Sequence, residues 1–308
     1  MAAETAPPGA AGVDAAMLDF ALYRYKLSLP AAITAVVIFL ILSLLHLWRL
    51  YRHRAYYFTA FTVGGFFQVV GYCGRIWSHF DDTSIGGFVM QAILILVAPA
   101  LYAASIYMIL GRLIRALRSE ALSIIPVKWM TKIFVVGDVV SFFMQAGGGG
   151  IQAAGTLELY DIGEKIIIVG LFVQIFMFGF FLVTTVLFHV RFSHTILAYH
   201  TRSAAAQHTP IAWKRHLTVL YVVSAIIMVR SIFRVVEYLQ GNRGYLISHE
   251  IFLYIFDAVL MAAVMAIFLV YYVDDLDPER SRKHDSAIEM LSSQDVDAPG
   301  VIQRTYSA

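Results

Sequence analysis

Apolar residues in this chain run in seven long blocks, with charged or turn-rich connections between them. In approximate bounds the blocks are Pro30–Leu50, Tyr57–Trp77, Phe88–Gly111, Ile133–Ile151, Ile166–Val190, Leu217–Tyr238 and Ile251–Val273. Each holds about 19 to 25 residues, enough at about 1.5 Å per residue to cross a hydrocarbon core of roughly 30 Å. Backbone groups must be satisfied inside such a core, so each block is predicted as a helix. The alternating segments of about ten residues that mark a membrane barrel are absent. The predicted fold class is therefore all-α: one bundle of seven transmembrane helices over residues 20–273. An Ala- and Pro-rich disordered lead is expected over 1–19, and a flexible, Ser-rich cytosolic tail over 274–308.

Composition supports a membrane protein. Of 308 residues, 59% are hydrophobic and 14% charged, with a mean hydropathy of +0.72. A soluble chain of this length needs far more charged surface. The first block is too long for a signal-peptide core, so no cleavable signal is expected. Cys73 is the single cysteine, which excludes an intrachain disulfide. The lone asparagine, Asn242, begins Asn-Arg-Gly, so there is no N-glycosylation sequon.

Charge sets the expected orientation. Arg49, Arg52 and Arg54 follow the first block, and Arg112, Arg115, Arg118, Lys128 and Lys132 separate the third from the fourth. Arg191, Arg202, Lys214 and Arg215 separate the fifth from the sixth, and Arg280, Arg282, Lys283 and Arg304 follow the last. The other side carries Arg24, Lys26, Arg75, Lys165 and Arg243. The excess of Lys and Arg places odd-numbered loops and the C-terminus in the cytosol, with the N-terminus outside.

Polar residues within the blocks mark the candidate site. Gln68, Tyr72 and Arg75 share one helical face of the second block. Arg75 lies near the outer end, where it either snorkels to water or meets a headgroup. In the fourth block Asp138, Gln145 and Gln152 recur every seven residues, with Ser141 on the same side. The glycines at 147–150 allow close helix contact or local unwinding. In the sixth block Arg230, Arg234 and Glu237 stack, and Arg234 is within reach of Glu237. Arg230 requires a partner elsewhere, Asp138 or Asp257 being the candidates. Glu250 and Asp257 face one way in the seventh block. Together these charges predict one buried ionic cluster shared by the fourth, sixth and seventh helices, structural or ligand-binding. Gln91, Pro99, Tyr102 and Tyr107 in the third block and Gln174 in the fifth add further polar or kinked positions, for which ordinary packing is the simpler role.

No HExxH, GxSxG or phosphate-binding loop is present, and the seventh block has no lysine for a retinal Schiff base. The chain is therefore not expected to be an enzyme, to hold a metal or to need a cofactor. Buried carboxylates without a nucleophile or metal triad leave an intramembrane lipid hydrolase as the weakest class. A seven-helix lipid or sterol receptor competes with a transporter, because helix count and orientation are shared by both.

The set of segments YRYKLSLP, VGYCGR, APALYAASIYMILGR, FVVGDVVSFFMQAGGG, GLFVQIFMFGFF, RSIFRVVEYLQGNRG and HEIFLYIFDAVLM resembles the fungal RTA1-like family of seven-helix membrane proteins. They occur in order, at about one per block, across residues 20–272. The resemblance implies lipid-translocating exporters of sphingoid long-chain bases, resistance to aminocholesterol and other toxic amphiphiles, and porphyrin or haem as a ligand. It implies residence in the plasma membrane, or in the vacuole or another endomembrane. The implied partners are membrane lipids, sphingoid bases or sterol-like amphiphiles, with a homo-oligomer or an unidentified cytosolic protein open and no nucleic acid. The family's recurring polar positions fall on Arg75, Asp138, Gln145, Gln174, Arg234, Glu237, Glu250 and Asp257. Two departures stand out. Gln68 replaces the acidic residue common before Gly-Tyr in the second helix, which leaves no carboxylate there to hold a cationic amphiphile. YYVDDLDPER replaces a His-Pro after the last helix. Without a nucleotide-binding motif, any transport must draw on a gradient, an ion or a partner.

Overall fold

A computed structural model describes residues 27–81, 85–152, 157–202, 213–240, 245–246 and 249–271. The expected lead over 1–19, the tail over 274–308 and the turn at 241–244 lie outside the described residues. Among the described residues the long elements are all helical: α1 (Leu29–His53), α2 (Thr59–Phe80), α3 (Ile85–Ala116), α4 (Val127–Gln152), α5 (Leu157–Arg202), α6 (Trp213–Leu239) and α7 (Glu250–Val270). Short 3₁₀ turns at Tyr56–Phe58 and Glu120–Leu122 join α1 to α2 and α3 to α4.

Each helix coincides with one predicted apolar block. Five of them, in α1, α3, α5, α6 and α7, are long and apolar enough to cross a membrane. The other two, α2 and α4, have 22 and 26 residues, so length is not what they lack. Their buried faces instead carry polar residues: Gln68, Tyr72 and Arg75 on α2, and Asp138, Ser141 and Gln145 on α4. The polar stripes of the second and fourth blocks therefore lie on the two helices outside that group of five.

The outer surface is hydrocarbon-like. Ile41, Phe143, Phe176 and Val183 all stand more than half exposed, along α1, α4 and α5. A soluble monomer does not keep apolar surface of that extent, whereas lipid tails solvate it without cost. Helix α3 is central: 56% of its apolar span is buried, against 28% for α1 and for the α5 span. It packs closely on α2 and also on α4, while α4 lies along α5 and α7 meets α1 and α6.

Small residues permit these close approaches. A Cβ on Gly71 of α2 would lie 2.7 Å from the Ile95 side chain of α3. A Cβ on Gly148 would lie 2.7 Å from the Gly163 carbonyl oxygen of α5. Helix α4 continues without interruption through the glycines at 147–150. Of the two roles open to them, close packing is met at Gly148 and unwinding is not observed.

Two other departures have simple causes. Helix α5 runs for 46 residues, so it is about 70 Å long and extends well beyond the block read from apolarity. Its added turns are polar, and helix propensity continues where hydropathy ends. Helix α7 contains a π-helical stretch at Tyr254–Val259. Such a stretch leaves no mark in hydropathy, yet it sets the positions of Tyr254 and Asp257 and is often associated with function.

Candidate functional site

The interior polar residues separate into distinct groups. The first joins α2 to α7. Arg75 is fully buried, so it does not snorkel to water. Its guanidinium donates to Glu250 Oε1 from Nη2 at 2.9 Å and from Nε at 3.2 Å. Arg75 Nε also donates to the Tyr254 hydroxyl at 3.2 Å, and the guanidinium lies 5.4 Å from the Tyr254 ring centroid. Glu250 accepts in addition from the Ser28 backbone N–H at 3.1 and 2.9 Å, tying the start of α1 to the start of α7. Tyr72 stacks between Phe39 of α1 and Tyr254 of α7, with centroid distances of 5.6 and 6.0 Å.

The second group joins α6 to α7. Arg230 Nε donates to Asp257 Oδ1 at 2.5 Å, with both side chains 1% exposed. Arg230 Nη2 reaches the Ile95 carbonyl of α3 at 3.3 Å. Of the two partners open to Arg230 in the sequence, the fold selects Asp257. The Arg234–Glu237 contact expected within α6 forms at 2.7 Å, and Arg234 also lies over the Tyr238 ring.

The third group lies between α3, α4 and α5. Asp138 is buried and, among the described residues, pairs with no arginine; Oδ2 accepts from the Tyr107 hydroxyl at 2.9 Å. Ser141 donates to the Gly170 carbonyl at 2.7 Å. Gln145 Nε2 donates to Ser141 Oγ at 2.7 Å and to Gln174 Oε1 at 3.1 Å. The single ionic cluster expected from sequence is thus corrected. Asp138 faces a tyrosine, because α4 packs on α3 and α5 and not on the arginine face of α6.

Several fully buried atoms have no hydrogen-bond partner among the described residues: both ends of the Gln68 amide, the Tyr72 hydroxyl, Asp257 Oδ2, Asp138 Oδ1 and Gln145 Oε1. Open hydrogen-bonding positions are costly in a low-dielectric interior, so their concentration on these helices calls for an explanation. Of the candidate residues, Arg75 and Glu250 join α2 to α7, Arg230 and Asp257 join α6 to α7, and Gln68 is buried on the same face of α2 as Tyr72 and Arg75. Asp138, Gln145 and Gln174 fall in the α3–α4–α5 seam. Arg234 and Glu237 pair with each other on α6.

Sequence reasoning missed His46 and Tyr254, and gave Tyr107 ordinary packing as its simpler role. His46 Nε2 donates to the Met265 carbonyl at 2.9 Å in the buried α1–α7 contact. The spacing of the buried α1 residues Ala32, Ala35, Phe39, Ser43, His46 and Leu50 is a helical face that includes His46, and that signal was available. No local pattern linked Tyr107 to Asp138, which are 31 positions apart.

The family model described as RTA1 like protein matches residues 61–278. Protoporphyrin uptake protein 1 of Saccharomyces cerevisiae is 37% identical over 287 residues, covering 82% of this chain and 91% of that protein. Protein RTA1 of the same yeast is 35% identical over 278 residues, covering 82% and 85%. The yeast sphingoid long-chain base transporter RSB1 is 27% identical over 268 residues, covering 78% and 70%. No solved structure matches. The chain is an integral membrane protein and belongs to the RTA1-like family.

Proposed function

We propose that this protein moves amphipathic lipids, sphingoid long-chain bases among them, between the leaflets of the plasma membrane, and so lowers the toxicity of such amphiphiles. In this reading all seven helices span the bilayer, with the N-terminus outside and the C-terminus cytosolic. The basic residues at one end of the bundle support that orientation. Arg52 lies over Trp48, Arg112 over Tyr57, Lys132 over Trp129 and Arg215 over Tyr271, a belt suited to a cytosolic interface. No cofactor is required, and a porphyrin would be cargo.

The observation that carries the reading is the set of open hydrogen-bonding atoms inside a lipid-facing bundle: Gln68, Tyr72, Asp138, Gln145 and Asp257. In an interior this apolar, water or a bound headgroup has to complete these positions. A headgroup passing between leaflets needs donors and acceptors that water no longer supplies. The apolar outer faces of the helices can accompany its tail. The name of the yeast relative RSB1 points to the same class of cargo.

The test uses purified protein in liposomes. A labelled sphingoid base should change leaflets faster than in protein-free vesicles. Folded protein that accelerates no charged lipid class would sink translocation. Selective movement of a porphyrin would reassign the cargo. Recruitment of a cytosolic signalling protein on lipid addition, without movement, would make it a receptor. Release of a product from an ester or amide lipid would make it a hydrolase.

A further inference from the structure

Three carboxylates are buried within the described bundle: Glu237 and Asp257 each hold an arginine, and Asp138 holds none. Asp138 Oδ2 accepts from Tyr107, while Oδ1 is buried and has no hydrogen-bond partner among the described residues. The groups around it are neutral. Helix α3 contributes Tyr107, which donates to it, and among the described residues no salt bridge includes it. On α5 the neighbouring seam is formed by Gln174, Met177, Phe178 and Phe181.

The site is also rich in aromatic rings. Tyr107 lies 4.6 Å from Phe181, 5.3 Å from Phe134 and 6.1 Å from Phe178, centroid to centroid. Phe134 is one helical turn before Asp138 on the same buried face of α4. A carboxylate oxygen beside several aromatic rings is the chemistry that recognises an ammonium group.

A lone carboxylate in this interior is too costly to keep charged, whereas a neutral acid or an ion pair is tolerated. We propose that Asp138 is a proton–cation exchange site, protonated when empty and ionised when an alkylammonium headgroup occupies it. The inference deepens the translocation reading by naming the headgroup and an ion that accompanies its passage. The Oδ1–H bond breaks, its electron pair stays on the carboxylate and the proton leaves to water as the ammonium enters. Nothing is oxidised or reduced. The site holds zero net charge before and after, so neither state leaves an uncompensated charge in hydrocarbon. The α2–α6–α7 seam lacks this property, because Arg75–Glu250 and Arg230–Asp257 are already balanced.

The experiment uses the full chain in lipid nanodiscs, with dodecylammonium as the cation and dodecanol as its uncharged counterpart. Across roughly pH 5 to 8, dodecylammonium binding should release up to about one proton per site. The same step should erase the infrared stretch of a protonated carboxyl, and dodecanol should do neither. Asp138→Asn should weaken dodecylammonium binding by about tenfold or more, abolish proton release and leave dodecanol binding unchanged. Tyr107→Phe should still release the proton, because the proton resides on Asp138. Dodecylammonium binding to the wild type with no proton release and no loss of the carboxyl stretch overturns the proposal. So does wild-type cation affinity in Asp138→Asn. If the asparagine variant does not fold, the wild-type stretch and proton count, with Tyr107→Phe, decide the question. Lipid movement without proton release removes the exchange and leaves translocation standing. Proton release without lipid movement removes translocation and leaves a cation site.

Discussion

The α2–α6–α7 seam and the α3–α4–α5 seam both hold polar groups inside an apolar bundle, and they do so in opposite ways. In the first, Arg75 meets Glu250 and Arg230 meets Asp257, so every charge has its opposite within hydrogen-bonding distance. In the second, Asp138 faces a tyrosine, and the nearby polar groups are the amides of Gln145 and Gln174 and the Ser141 hydroxyl. A paired charge ties helices together, and removing one member strands the other. An unbalanced carboxylate adds little to assembly and remains available to a visiting cation or proton. Burial alone therefore does not separate structural from functional polar residues. The charge balance of the neighbourhood does.

The comparison breaks most sharply at Arg230. Arg230→Gln leaves Asp257 buried without its counter-ion and is expected to destabilise the bundle by about 3–5 kcal/mol. Thermal unfolding of purified protein should show the loss, and adding Asp257→Asn should recover most of it. A single variant as stable as wild type would show that the pair is not holding α6 to α7.

Helix packing gives the next largest effect. Gly148→Ala places a Cβ against the Gly163 carbonyl and Ile167 of α5, and is expected to cost about 1–3 kcal/mol. Gly149 has nothing within 4 Å of the same added atom. Gly149→Ala should therefore hold stability or raise it by up to about 1 kcal/mol through helix propensity. Equal losses in both variants would show that the glycines serve the backbone of α4 and not its contact with α5.

The smallest stability change is expected at Asp138. Asp138→Asn retains an oxygen that accepts from Tyr107, so its unfolding temperature should reflect about 1 kcal/mol or less. Movement of a sphingoid base in vesicles should nevertheless fall well below wild type. A variant as unstable as Arg230→Gln would return Asp138 to the structural group and erase the contrast between the seams.

Residue order along the chain is enough to specify the helices and which of their faces are polar. Block length and hydropathy located the seven long helices among the described residues, because a chain in hydrocarbon must satisfy its backbone locally. Heptad spacing placed Asp138, Ser141 and Gln145 on one face of α4, and Gln68, Tyr72 and Arg75 on one face of α2, because helical periodicity is a local property. The Arg234–Glu237 contact was legible for the same reason, the partners being only 3 positions apart. What faces what was decided by tertiary structure. Arg75 and Glu250 are 175 positions apart, and Arg230 and Asp257 are joined across separate helices. Asp138 was within the set of possible partners for Arg230 until helix packing put Tyr107 before it. Complementary charge lists the pairs that are chemically possible, but helix rotation and adjacency, set by small residues such as Gly71 and Gly148, select among them.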